Sequence, residues 1–209
     1  MPVSFFAEAY DRGTPPWDIG RHQPAFERLA VAGEIRGPVL DVGCGTGENA
    51  LFLASGGYQV VGVDAVELAV HAARRGASAE FLVGDALALG ALDRMFAAVI
   101  DSGLFHTLDD DERPRFVDSL ADVLRPGGRY FMLCFSELET RPGGPRRVTQ
   151  AEIRSVFNEP PFRVLAIEAA QMETNFADGS RLCWLARIER ARSGLAERTP
   201  STRGSGRRR

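Results

Sequence analysis

The chain of 209 residues contains no lysine: all 25 of its Lys+Arg positions are arginine. That absence excludes a phosphate-gripping P-loop lysine, a Schiff-base lysine and a lysine general base. Cysteine is scarce as well. Cys44, Cys134 and Cys183 are far apart and form no CxxC pair. Three thiols without close spacing suit a reducing compartment better than a disulfide framework. The three histidines, His22, His71 and His106, make no HxxH or HExxH spacing, so no metal site is expected. No apolar run reaches the roughly 18–20 residues that span a bilayer, and the N-terminus lacks a signal-peptide pattern. A cytoplasmic protein is the expectation.

What is present suits one compact domain. Hydrophobic residues make up 44% and charged residues 25%, near the globular average. The formal charge of −3 hides a split. The segment from Glu197 onward carries +4 and the remainder −7. An acidic body without an aromatic-interleaved basic patch argues against nucleic acid as a partner. Residues 191–209 lack periodic apolar positions and read as a disordered basic tail.

Between residues 38 and 136 apolar β-type runs alternate with helical patterns. Strands are expected at 38–42, 59–64, 79–85, 95–102 and 129–136, with helices at 47–55, 66–76 and 109–128. Thr149 and Glu152 have the spacing of a capping box for a helix at about 150–157. Residues 162–170 and 180–188 read as a closing antiparallel hairpin around the turn 175–179. The expected fold is α/β: a doubly wound, Rossmann-like sheet of seven strands, mostly parallel, with an antiparallel C-terminal hairpin and helices on both faces. Residues 36–190 would form this domain. Residues 1–35 would form a covering segment, with Phe5, Phe6, Ala9 and Tyr10 on one face of a short helix.

The glycine turn Asp41–Glu48 (DVGCGTGE) joins the first strand to the next helix. A dinucleotide turn reads G-x-G-x-x-G, with the pyrophosphate on the helix N-terminus. Here the third glycine of that pattern is replaced by Glu48, whose charge would repel a diphosphate. The spacing G-x-G-x-G behind Asp41 suits a cationic ligand instead.

With Asp64 ending the second strand, Gly84-Asp85-Ala86 following the third, and Leu124–Gly128 (LRPGG) before the fifth, the chain resembles the class I S-adenosylmethionine-dependent methyltransferases. The resemblance covers about residues 36–136. It implies that Asp41, Gly43, Cys44 and Gly45 wrap the methionine part of the cofactor. Asp64, with Ala65 beside it, would bind the ribose hydroxyls, and Asp85 and Ala86 would bracket the adenine. Residues 14–24 (TPPWDIGRHQP) resemble the N-terminal signature of the small thiopurine- and halide/thiol-type methyltransferases and their bacterial relatives. That likeness implies that Trp17 contacts the cofactor, and an aromatic face stabilises a sulfonium by cation–π attraction. Arg21 would pair with the cofactor carboxylate or with Asp18.

Methyl transfer from a sulfonium is an in-line displacement in which the protein supplies alignment and a dry pocket. After the fourth strand, His106 is a candidate base and Asp101 either a second one or a partner of the cofactor's amino group. Phe6, Tyr10, Phe105 and Phe135 are expected on the substrate side. The D-S-G-L sequence at 101–104 is not the N/D-P-P-Y tetrad of adenine or glutamine methylation, and no Pro-Cys pair serves cytosine C5 chemistry. The expected acceptor is a small molecule with a phenol oxygen, thiol sulfur or heterocyclic nitrogen, used by a monomer or homodimer. Two alternatives stand beside it: a non-enzymatic cofactor-binding partner protein of the same fold, and an NAD(P)-dependent oxidoreductase.

Overall fold

The computed structural model describes residues 1–74 and 78–192. The expected basic tail therefore lies outside the described residues, except for Ala191 and Arg192. So do the last residues of the helix expected to run to 76.

Seven strands form one sheet in the order β3-β2-β1-β4-β5-β7-β6. They are β1 (Val39–Val42), β2 (Val60–Asp64), β3 (Glu80–Val83), β4 (Phe96–Ser102), β5 (Leu124–Phe135), β6 (Phe162–Met172) and β7 (Arg181–Arg190). The pairs among β1–β5 are parallel, and β7 runs antiparallel between β5 and β6. The apolar runs make this sheet because both faces are covered. All four residues of β1 are buried.

Side chains alternate across the sheet and build a core on each face. In β5, Tyr130, Met132 and Cys134 join one core, and Phe131, Leu133 and Phe135 the other. The first core is closed by α5 (Glu112–Val123) and α6 (Gln150–Phe157) through Phe116, Leu120, Ile153 and Phe157. The second is closed by α2 (Pro24–Val31), α3 (Glu48–Ser55) and α4 (Glu67–Ala73).

Chain order reverses between β1 and β4, so the carboxyl ends of these strands open a crevice at a topological switch point. The capping box forms as expected: the Thr149 side chain accepts from Glu152 N, and the Glu152 carboxylate accepts from Thr149 N.

Four elements depart from expectation. The helix expected over 109–128 occupies only Glu112–Val123, because Leu124 turns extended and Pro126 cannot continue a helix. The fifth strand takes over from Leu124, which pairs with Phe96. A further helix, α2, forms where none is expected; Pro24 opens it and Ala25, Phe26 and Leu29 are buried. Ala86–Leu92 winds into a 3₁₀ segment. The N-terminal helix α1 (Val3–Asp11) does form, with no buried residue.

Candidate active site

The glycine turn is held from below by backbone bonds. Gly43 N and Cys44 N both donate to the Val63 carbonyl. Gly43, Gly45 and Gly47 all have positive φ, 68°, 53° and 85°, which L side chains rarely adopt. Two of them also make room for neighbours. A Cβ on Gly45 would lie 2.8 Å from the Tyr10 hydroxyl, and one on Gly47 would lie 2.7 Å from the Phe81 ring. Tyr10 comes from α1, so this helix lies over the turn. Its hydroxyl accepts from Trp17 Nε1 at 3.2 Å.

The turn opens on a cavity of about 600 Å³, within the usual range for a small-molecule site. Twelve of the residues expected at the site line it: Phe6, Tyr10, Trp17, Gly43, Cys44, Gly45, Asp64, Ala65, Asp85, Ala86, His106 and Phe135. Glu48 lines it too, in the first turn of α3, where it opposes a diphosphate.

Asp64 is held by its surroundings. Its Oδ2 accepts from Gly45 N at 2.9 Å and its Oδ1 from Val66 N at 2.8 Å. Each oxygen keeps a lone pair for a ligand hydroxyl. Burial raises its pKa, against the backbone hydrogen bonds that lower it. Asp85 is exposed, and its Oδ1 accepts from Leu87 N at 2.8 Å, capping the 3₁₀ segment.

Four expectations need correction. Asp41 does not reach the cavity wall. It lies beneath the glycine turn, 1% exposed, and neither carboxylate oxygen has a partner among the described residues. Burial, with Asp101 and Asp64 nearby, pushes its pKa up to about 8.

Asp101 is fully buried and faces the protein. It accepts from Leu104 N at 2.6 Å, Phe105 N at 3.0 Å and the Tyr130 hydroxyl at 2.7 Å. Burial pushes its pKa up to about 6. It holds the turn after β4 and contacts no ligand space.

Phe105 is turned inward by that same arrangement. It is 0% exposed and packs on Phe116, Phe157 and the Arg113 guanidinium.

His106 lines the cavity, but its Nδ1 accepts from Phe135 N at 2.9 Å. The neutral ring therefore carries its proton on Nε2. Burial first, then the charges of Arg147 and Arg113, push its pKa down to about 3. A base role at Nε2 does not fit this tautomer.

Arg21 pairs with Glu173, not with Asp18. The sequence reading missed the segment that receives it. Gln23 Nε2 donates to Glu173 O and Glu173 N donates to Gln23 Oε1, both at 2.9 Å. Asn175 N donates to Pro16 O at 2.7 Å. These bonds fasten the N-terminal segment to the end of β6, and they bring Met172 and Phe176 into the cavity wall. No local pattern marks bonds between residues 150 positions apart.

A "Methyltransferase domain" family matches residues 39–128. Over 176 residues the chain is 35% identical to the 2-heptyl-1-hydroxyquinolin-4(1H)-one methyltransferase of Mycobacteroides abscessus, covering 79% of this chain and 77% of that protein. The chain belongs to the class I S-adenosylmethionine-dependent methyltransferases. A probable thiol methyltransferase 2 of Arabidopsis thaliana is 27% identical over 77% of this chain and 74% of its own. A solved structure described as "Conversion of a Disulfide Bond into a Thioacetal Group during Echinomycin Biosynthesis" aligns with a TM-score of 0.82 and 33% identity. That alignment covers 93% of this chain and 94% of the other.

S-adenosyl-L-methionine is thus the cofactor of this methyltransferase. The residues present fit it. A turn without Cβ atoms allows close approach, and a buried carboxyl group, Asp41, lies under it; its raised pKa keeps it largely protonated near neutral pH, and a cation above would favour its charged form.

Proposed function

We propose that this methyltransferase methylates a small molecule at thiol sulfur, phenolic oxygen or a heterocyclic nitrogen. One observation carries the reading. The cavity that the glycine turn opens on is also lined by Phe6, Phe135, Met172 and Phe176, with His106 against Phe135 and, like Met172, beside Gly103. A non-enzymatic cofactor-binding protein has no need of that apolar wall. Glu48 at the start of α3 and the family assignment leave no support for an NAD(P) enzyme. The relatives lend support, because one acts on a hydroxyquinolinone and another is named for thiols.

In this reading Asp64 accepts the ribose hydroxyls through its free lone pairs, with Ala65 beside it. Asp85 and Ala86 flank the adenine. Gly43, Cys44 and Gly45 follow the methionine part, with the buried Asp41 carboxyl group beneath the turn. The Trp17 ring faces the sulfonium, where cation–π attraction stabilises the charge. The cofactor supplies an activated methyl group. The chain orients the acceptor for in-line attack and, through α1 and Trp17, keeps water out.

Of residues 1–35, expected as the cover, residues 1–22 serve as it, while α2 packs into the core. Among the described residues no helix is long and apolar enough to cross a membrane. A cytoplasmic monomer or homodimer acting on a small molecule, without nucleic acid, is the working assignment.

Labelled cofactor incubated with 2-heptyl-1-hydroxyquinolin-4(1H)-one, thiophenol and 4-nitrophenol tests the proposal. Label in at least one acceptor is expected. Tight cofactor binding with no product from a broad panel would instead point to a binding protein.

A further inference from the structure

Beside His106 the cavity wall is formed by Phe135 and Met172, which take no proton, and the guanidinium groups of Arg147 and Arg113 stand behind this wall over Phe135 and Phe105. His106 presents an Nε2–H, since its Nδ1 is occupied by the Phe135 N–H. Nε2 has no protein partner among the described residues. It lies beside Gly103, where a Cβ would come within 3.3 Å of it.

Arg147 stands over the Phe135 ring, its guanidinium carbon 5.6 Å from the ring centre. Its guanidinium is held by four main-chain carbonyls. It donates to Glu139 O at 3.0 Å, to Gly143 O and Pro145 O at 2.8 Å, and to Arg141 O. Among the described residues no carboxylate lies within salt-bridge distance of it. Its charge is therefore solvated by dipoles but not cancelled.

Arg113 approaches from α5. It is 3% exposed, with Nε and Nη2 unpartnered among the described residues. Its nearest carboxylate, Glu152 at 3.3 Å, is shared with Arg146.

The acids around this end are engaged elsewhere. Glu139 is bound by Arg141, and Asp101 by Tyr130 and two backbone N–H groups. Glu112 lines the cavity and accepts from Asp109 N through one oxygen, which makes it the rival base that an acceptor-independent pH limb would reveal. The amino group of Met1 donates to the Thr107 carbonyl.

We infer that the acceptor binds already ionised, as a thiolate or oxyanion, and that His106 Nε2–H donates a hydrogen bond that holds it. The inference rests on the methyl-transfer reading and narrows its acceptor class. The proton leaves to solvent on binding. The transfer step then forms one bond from the acceptor anion to the methyl carbon and breaks one carbon–sulfur bond. The sulfonium becomes a neutral thioether and no proton moves. Opposite charges that cancel in a desolvated site favour this step. Arg147 and Arg113 are positioning residues, since they act on the anion through the field and touch no reacting atom.

The test uses the full chain with thiophenol, 4-nitrophenol and 2-heptyl-1-hydroxyquinolin-4(1H)-one. The acidic limb of kcat/KM against pH should move from acceptor to acceptor, following the acceptor's own ionisation. Added to the complex with S-adenosylhomocysteine at a pH below its free pKa, 4-nitrophenol should show the longer-wavelength phenolate absorption. His106→Phe should lower kcat/KM by roughly ten- to a hundredfold, the loss of a hydrogen bond to a charged group, with cofactor affinity unchanged. His106→Gln, which keeps an N–H donor, should recover most of that.

A single limb common to all acceptors, bound phenol in its neutral form, or an undiminished His106→Phe enzyme would overturn the inference and leave methyl transfer standing. Cofactor binding with turnover of none of the acceptors would remove the methyl-transfer reading itself.

Discussion

The two ends of the cavity are built in different ways. The cofactor end comes from short stretches directly after β1, β2 and β3, at Gly43–Gly45, Asp64–Ala65 and Asp85–Ala86. Backbone atoms and one carboxylate do most of its shaping. The rest of the wall comes from the turn after β4, the loop after β5 and the end of β6, with α1 laid across the glycine turn. It is shaped by contacts across long stretches of sequence, such as the Gln23 side chain on the Glu173 main chain. A site made of local turns is fixed once the sheet forms. A site made of distant side chains depends on every fastening, so acceptor preference can change while the cofactor end stays the same.

That contrast can be broken from either side. The largest effect is expected at the cofactor end. Asp64→Ala removes ligand hydrogen bonds and the support of Gly45 N, and should weaken cofactor binding by ~1.5–3 kcal/mol in calorimetry. Unchanged affinity would refute the ribose assignment.

Next is Asp101→Asn, which places an amide donor against N–H groups or the Tyr130 hydroxyl. A stability loss of about 1–3 kcal/mol in denaturant unfolding is expected, from buried groups left without partners. A loss of activity at full stability would return Asp101 to the chemistry.

His106 gives a pH signature. Its pKa falls from about 6.5 in the unfolded chain to about 3 when buried. The unfolded chain then binds a proton that the folded chain refuses. Stability should fall as pH drops below the unfolded value towards about 3. His106→Phe should flatten that slope.

The smallest effect belongs to a helix cap that does not line the cavity. Thr149→Ala should cost about 1 kcal/mol through the lost cap and leave the affinities for cofactor and acceptor alike.

The same division explains what the sequence revealed. Strands β1–β5 and the glycine turn are legible because apolar runs and glycine spacing are local signals. So is the capping box of Thr149 and Glu152, four residues long. Helix α5 was placed correctly but overrun, since only the turn of Leu124 into β5 decides its end.

Asp101 and Phe105 were legible as residues after a strand but not in direction. Which way they point depends on Tyr130, which reaches Asp101 from the neighbouring strand. Helix α2 was hidden because its sequence, beginning at Pro24, overlaps the end of the N-terminal signature. Arg147 left no readable trace, because its partners are carbonyls of a loop whose course no pattern encodes.

A crystal structure with S-adenosylhomocysteine tests the two-ended cavity most directly. The ribose hydroxyls should lie on the Asp64 carboxylate, the adenine between Asp85 and Ala86, and the sulfur should face the end formed by His106, Phe135 and Met172. An adenine lodged at the His106 end, or an Asp64 carboxylate without ligand contact, would contradict the account.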